Sequence, residues 1–278
     1  MTNGLAIWHY PHRTMAQNID YFAKNGFSAV SIHGARLVDE IMRDEGEDVA
    51  HAVIKNGVTL TVHYALPRGH QPDIVDTFIR GLDAIAEWQS KWGLIRILSF
   101  DVPAVIRDNA YPYISEALAR VDNCAVAVED FGLNEAEHSQ LAPLRGNRRF
   151  GYLVDIGHLF IRMRGERKDG RALFSNAPME SSVVREPSTD DFVKALRSKD
   201  FPIFEMHLHN NDGVKDAHLF LEDGIMDVGA VADALHRIGY EGIVTIESAP
   251  GYQFPCYGDE ADEGILKTYA YWKSCYGC

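Results

Sequence analysis

Apolar positions along the chain fall into two alternating patterns. Compact runs of six to eight residues, rich in β-branched side chains, alternate with longer stretches whose apolar residues return every three or four positions. The compact runs are 4–9, 27–33, 57–63, 94–101, 125–130, 151–158, 202–209 and 242–247, and each predicts a strand. Helical spacing covers 14–25, closed by Gly26 as a C-cap signal, and a charged stretch running through Lys55. It returns over 72–91, where Ile74, Phe78, Leu82 and Ile85 share one side, and over 114–121. Two more helices are predicted at 228–238, with Asp227 as N-cap and Gly239 as C-cap, and at 259–273.

Eight strands alternating with helices predict a (β/α)8 TIM barrel, an α/β fold occupying residues 1–278 as one domain. An open doubly wound sheet is the alternative, but no glycine-rich phosphate loop follows the first strand. The residues at the strand ends strengthen the barrel. His9, His33, His63, Asp101, Glu129, Asp155, His207 and Glu247 each stand where an apolar run stops, at intervals of 24 to 52 residues. Every interval has room for a βα unit. Such barrels carry their active sites at the C-terminal ends of the strands. Each strand therefore delivers to one mouth a group that can bind a metal or move a proton.

The densest chemistry lies in FEMHLHNNDGVKDAH, Phe204 to His218. Glu205, His207 and His209 alternate with Met206 and Leu208, so they share a strand face. The chain then turns through Asn210–Gly213 and returns Asp216 and His218. Imidazole and carboxylate together suit zinc, manganese, iron or cobalt better than calcium. Glu129, Asp155, His207 and Glu247, from four late strands, are enough to hold one divalent ion with positions open for substrate. An ion gripping two vicinal oxygens of a sugar acidifies the adjacent C–H, and Glu129 and Glu247 could then remove and return a proton. The plain alternative for each carboxylate alone is a strand-end cap or ion pair. His209 reads as a supporting group rather than a ligand. His9 and His33 could meet a substrate hydroxyl or simply pack. Trp8, Tyr64 and Phe131 read as core more readily than as pocket walls.

At this point the sequence resembles a known family. DIGH (Asp155 to His158), HLHNNDG followed by DAH (His207 to His218) and VTIE (Val244 to Glu247) resemble the xylose-isomerase-like barrels, which include sugar isomerases, ketose 3-epimerases, inosose dehydratases and the endonuclease IV group. The resemblance implies a divalent metal, manganese, zinc, cobalt or magnesium, on Glu129, Asp155, His207 and Glu247. It implies substrate contact, or a further metal, for His158. Asp216 and His218 match the nuclease group's ligands for that further metal, and His63 and Asp101 fall where the nucleases carry two more. The usual residue at the position of Asp101 is histidine, so one ion is the expectation and three the upper limit. Asn210 stands where relatives often have aspartate. The resemblance implies a sugar isomerase or epimerase working through an enediolate. A phosphodiester hydrolase or a cyclitol or keto-acid dehydratase is the alternative.

Charge favours the small-molecule reading. The formal net charge is −13, which works against a polyanionic partner such as nucleic acid. The basic island is an insertion at about 161–188, with Arg162, Arg164, Arg167, Lys168, Arg171 and Arg185. It follows the sixth strand and could clamp an anionic sugar or polyol, or serve as a surface loop or subunit contact. A homo-oligomer is compatible with this kind of barrel. With 46% hydrophobic residues but no apolar span or secretory signal, the expectation is a cytoplasmic protein with no membrane partner. Cys124 reads as a buried thiol, and Cys275 with Cys278 forms a terminal CxxC of low specificity.

Overall fold

The computed structural model describes residues 1–7, 13–33, 44–64, 74–100, 110–129, 139–164, 186–213, 216–249 and 259–277. Eight parallel strands close into a barrel in chain order: β1 (Thr2–Ile7), β2 (Ala29–His33), β3 (Thr59–His63), β4 (Ile95–Phe100), β5 (Ala125–Glu129), β6 (Phe150–Asp155), β7 (Ile203–Leu208) and β8 (Ile243–Ile246). The described helices are α1 (Met15–Lys24), α2 (Gly46–Asn56), α3 (Ile74–Trp92), α4 (Tyr111–Arg120), α5 (Ile156–Arg164), α6 (Thr189–Arg197), α7 (Val228–Ile238) and α8 (Asp259–Tyr276). This is the predicted (β/α)8 barrel. No described helix is long and apolar enough to cross a membrane.

Local chemistry accounts for the helix ends. Thr14 caps α1 by accepting from the Gln17 N–H, while the Gln17 side chain accepts from the Thr14 N–H. Ser188 and Asp191 form the same reciprocal box at α6, a helix the sequence analysis does not assign. Asp227 and Gly239 cap α7 as predicted, Gly239 in the left-handed region. The strands turn Leu5, Ile7, Val30, Ile32, Leu60, Val62, Val126, Val128 and Val154 toward the helices, where they join one large buried core with Phe22, Leu82, Leu235 and Trp272.

The sixth strand is shorter than its apolar run. It ends at Asp155, and Ile156, Gly157 and His158 open α5 instead. Asp155 Oδ1 accepts the backbone N–H of His158 at 2.7 Å, capping the helix from the last residue of the strand.

Candidate metal centre

Side chains two residues apart on a strand share a face, so each strand delivers a stepped column to the barrel interior. Toward the N-terminal end of the barrel interior, Ala29, Ile97, Ala127, Leu153 and Ile243 form an apolar cluster separate from the main core, with Ala127 and Leu153 level with Ser99 and Glu205. Beside and above it lies a buried polar step. Thr61 on β3 and Thr245 on β8 both donate their hydroxyls to Glu205 Oε1 on β7, and Ser31 and Ser99 lie beside imidazoles of the next step. The top step holds His33, His63, Glu129, Asp155, His207 and Glu247, all 4% exposed or less.

Among the described residues, each carboxylate at the mouth faces imidazoles. Glu129 stands 3.0 Å from His158 Nδ1 through Oε1 and 3.5 Å from His63 Nε2 through Oε2. Asp155 Oδ1 lies 3.1 Å from His209 Nε2. Glu247 Oε1 lies 3.4 Å from His33 Nδ1, and its Oε2 lies 3.2 Å from His207 Nδ1 and 3.8 Å from His218 Nδ1. Asp216 Oδ1 is 3.0 Å from His218 Nε2 and 3.1 Å from His158 Nε2. The rings of His209 and His218 stack at 3.9 Å.

Asparagines aim the loop that carries Asp216 and His218. Asn210 donates to Leu221 O and Met226 O, and its Oδ1 accepts from the N–H groups of Asn211 and Met226. Asn211 donates to Gly157 O and accepts from the Gly213 N–H, tying β7's exit to the start of α5. Gly157 permits a close approach: a Cβ there would stand 2.3 Å from His209 Cε1. His218 holds φ +44°, a strained conformation for a residue with a side chain.

Burial and charge compete at each group. Burial would raise the carboxyls of Asp155, Asp216 and Glu247, but the facing imidazoles outweigh it and hold all three below their ordinary range, Asp216 and Glu247 well below. Burial would lower the histidines. It is outweighed at His207, chiefly by Glu247, and at His158, which Asp155 and Asp216 hold well above the usual imidazole value. Asp216 and Glu247 raise His218 to about 9 against the same burial cost. His33 goes the other way. Burial, with the neighbouring His63 and His207, takes it down to about 3, so it is neutral. Glu205 is raised by burial, which His207 and the two threonine hydroxyls only partly offset.

These groups fit a divalent cation. Among the described residues, four overlapping sets place one ligand atom per residue within 4.8 Å of each other: His158 with His209, Asp216 and His218; His33 with His207 and Glu247; Glu129 with Asp155 and His158; and Asp155 with His209 and Glu247. Both ring nitrogens of His207, Asp216 Oδ1 and Glu247 Oε2 are buried and make no well-aligned hydrogen bond, although Asp216 Oδ1 and Glu247 Oε2 stand 3.0–3.2 Å from imidazole nitrogens, and coordination would satisfy all four atoms. Glu129, Asp155, His207 and Glu247 do not form one mutual set. Asp155 joins the group of Glu129 to that of Glu247, and His207 meets Glu247.

The remaining candidates divide. His63, His158, Asp216 and His218 lie in this network. His209 and His33 lie within it too, in contact with Asp155 and Glu247. Arg164 donates to Glu186 and to the Gly213 carbonyl, which uses its guanidinium inside the protein. Arg162 is half-buried on α5. Tyr64 packs on α3, its hydroxyl on Thr77 O, and is core rather than pocket wall. Cys124 is a buried free thiol and Cys275 a half-buried one. His9, Asp101, Trp8, Phe131, Arg167, Lys168, Arg171, Arg185 and Cys278 lie outside the described residues. The hydroxyl step is absent from the sequence expectations, although the chain carries a signal for it. Ser31, Thr61, Ser99 and Thr245 each stand two residues before a strand-end imidazole or carboxylate.

The fold and mouth define a (β/α)8 barrel with a carboxylate–imidazole centre at the C-terminal ends of its strands. The chain belongs to the xylose isomerase-like TIM barrel family, whose description matches residues 19–275. A D-tagatose 3-epimerase-like protein superposes with a TM-score of 0.66 at 16% identity, covering 99% of this chain and 97% of that one. The D-psicose 3-epimerase of Clostridium cellulolyticum H10 gives 0.62 at 13% identity, covering 100% of both chains. At such identities the likeness is one of fold. The uncharacterized protein MJ1311 of Methanocaldococcus jannaschii is 34% identical over 58 residues, 21% of this chain and 20% of that protein.

Proposed function

We propose that this protein is a divalent-metal-dependent isomerase or epimerase of a sugar, keto-sugar or related polyol. Supporting the reading above all is the joining of Glu129 and Glu247 through Asp155: two nearly buried glutamates, from the ends of β5 and β8, belong to overlapping sets of metal-binding atoms. A divalent ion, whether manganese, zinc, cobalt or magnesium, seated on Glu247 with His207 and Asp155, and with Glu129 next to it through Asp155, would supply electrostatic stabilisation of the substrate oxygen that gains negative charge. Glu129 takes the proton from the carbon beside the carbonyl, giving an enediolate. Glu247, charged at rest, returns one from the other side, drawn from the protonated His218 that faces it. Imidazoles on both glutamates set their orientation.

The 3-epimerase activity named for the structural neighbours carries the same proton chemistry, and it supports an uncharged or weakly anionic small substrate here. Glu186 and the Gly213 carbonyl already take the Arg164 guanidinium, which argues against it as a phosphate clamp. The second reading is a phosphodiester hydrolase. What favours it is the set His158, His209, Asp216 and His218, which could hold a further ion. A dehydratase would use the same base and metal on a cyclitol or keto acid. Metal analysis of the purified protein together with deuterium wash-in from solvent tests the assignment. About one ion per chain and deuterium at one carbon of a ketose support the epimerase. About three ions and no exchange with any sugar in a panel would sink it.

A further inference from the structure

Resting on the metal reading above, the geometry points to His33 as a protein ligand of the same ion, so that His33, His207 and Glu247 make one side of its coordination shell. The sequence motifs of the site lie on the later strands. His33 comes from β2, on the other side of the β8–β1 closure from Glu247.

Three observations carry this. First, the three side chains come from three separate elements, are each 4% exposed or less, and bring one ligand atom each to within 4.8 Å of the others. Second, the separations are those of ligands rather than of ion pairs. A charge-assisted N–H···O contact closes to about 2.7–2.9 Å. Ligands about 2.1 Å from one ion, at angles between square and tetrahedral, stand about 3.0–3.4 Å apart. Glu247 Oε1 is 3.4 Å from His33 Nδ1, and Oε2 is 3.2 Å from His207 Nδ1, spacings that fit one ion gripped by both oxygens of the carboxylate. Third, Ser31 Oγ lies 3.0 Å from His33 Nε2. A ligating imidazole characteristically holds its second nitrogen on such a partner, which fixes the ring and leaves the first nitrogen for the metal. The ring also lies 5.0 Å from that of His207, centroid to centroid, so the two can present nitrogens to one point.

The ligand set then becomes two imidazoles and a carboxylate, extended by Asp155. That mixture favours a transition ion over magnesium. The competing role for His33 is a hydrogen bond to Glu247 that merely orients it.

Cobalt(II) binding to the metal-free full-length chain separates the two. Affinity is read by competition with a chromogenic chelator, and coordination by the visible bands. With His33 as a ligand, His33→Ala weakens cobalt binding at least tenfold and changes the visible spectrum, and free imidazole restores both in part. His33→Gln, which can still hydrogen-bond Glu247, behaves like His33→Ala. A wild-type spectrum and affinity in His33→Gln overturn the inference. A crystal structure of the cobalt-loaded wild type needs no variant: Nδ1 at about 2.0–2.3 Å from the ion supports it, and a ring beyond about 3 Å overturns it. Cobalt bound without His33 leaves the metal reading standing. Failure of the wild type to bind any divalent ion overturns both.

Discussion

Glu205 sits two residues before His207 on the same strand face, fully buried, with its Oε1 3.9 Å from the imidazole Nε2. It takes hydroxyls from β3 and β8 and so ties three strands together under the metal centre. Burial raises its carboxyl, so the folded state holds that proton more tightly than the unfolded chain does. Its contribution is therefore fully present below the unfolded value of about 4.5 and declines as pH rises toward the raised one. Glu205→Gln keeps the volume and one acceptor for the threonines. The variant should lose less stability than the wild type between pH 5 and pH 8, measured as metal-free Tm. Parallel curves would show that Glu205 titrates normally.

Glu129→Gln and Glu247→Gln should each lower turnover by about 10²–10⁴-fold, the span of a lost acid or base, while metal is partly retained. Steady-state rates on the substrate found by deuterium wash-in, with metal content measured beside them, check this. Full activity in either variant would remove the two-base scheme.

His218 and Asp216 make the metal-free centre sensitive to alkali. The imidazole is raised to about 9, so its stabilising share is complete below about 6.5 and is lost as pH climbs through about 9. Asp216, held well below its usual value, loses its share only in acid, as pH falls below about 4. Metal-free Tm should fall between pH 7 and pH 10, more steeply than in His218→Gln. An equal slope in the two proteins would contradict the pairing. Metal affinity at this second set should rise over the same range, because the proton must leave before an ion can bind.

Asn210→Asp looks conservative and should not be. The amide donates to two carbonyls, and a carboxylate would face Leu221 O and Met226 O with nothing to give. The loss is about 1–3 kcal/mol, or several degrees in Tm, and the loop bearing Asp216 and His218 should loosen with it. Thermal unfolding and amide exchange at Leu219 measure this; an unchanged Tm would mean the loop is held elsewhere.

Gly157→Ala drives a methyl into His209, whose Nε2 would lie 2.5 Å from the new Cβ. The ring must leave Asp155, at a cost of about 1–3 kcal/mol. If His209 works only by supporting Asp155, metal affinity should fall modestly while His209→Gln behaves alike. Wild-type affinity in both would make His209 a packing residue.

Much of this was legible in the chain. Alternation fixes the face of a side chain from local sterics alone, so the strands and their polar end residues could be read, and β2, β3, β5 and β6 end on the predicted His33, His63, Glu129 and Asp155. Capping did the same for α7 through Asp227 and Gly239. Sequence spacing could not say which imidazole faces which oxygen. That depends on strand register and barrel closure, which set Asp155 beside His209 from β7 and bring His33 to Glu247 across the β8–β1 seam. Nor could it show that the centre is a chain of overlapping sets rather than one four-residue shell. Contacts between residues 29 to 214 positions apart are decided by how eight strands tilt around a common axis, and no local rule encodes that.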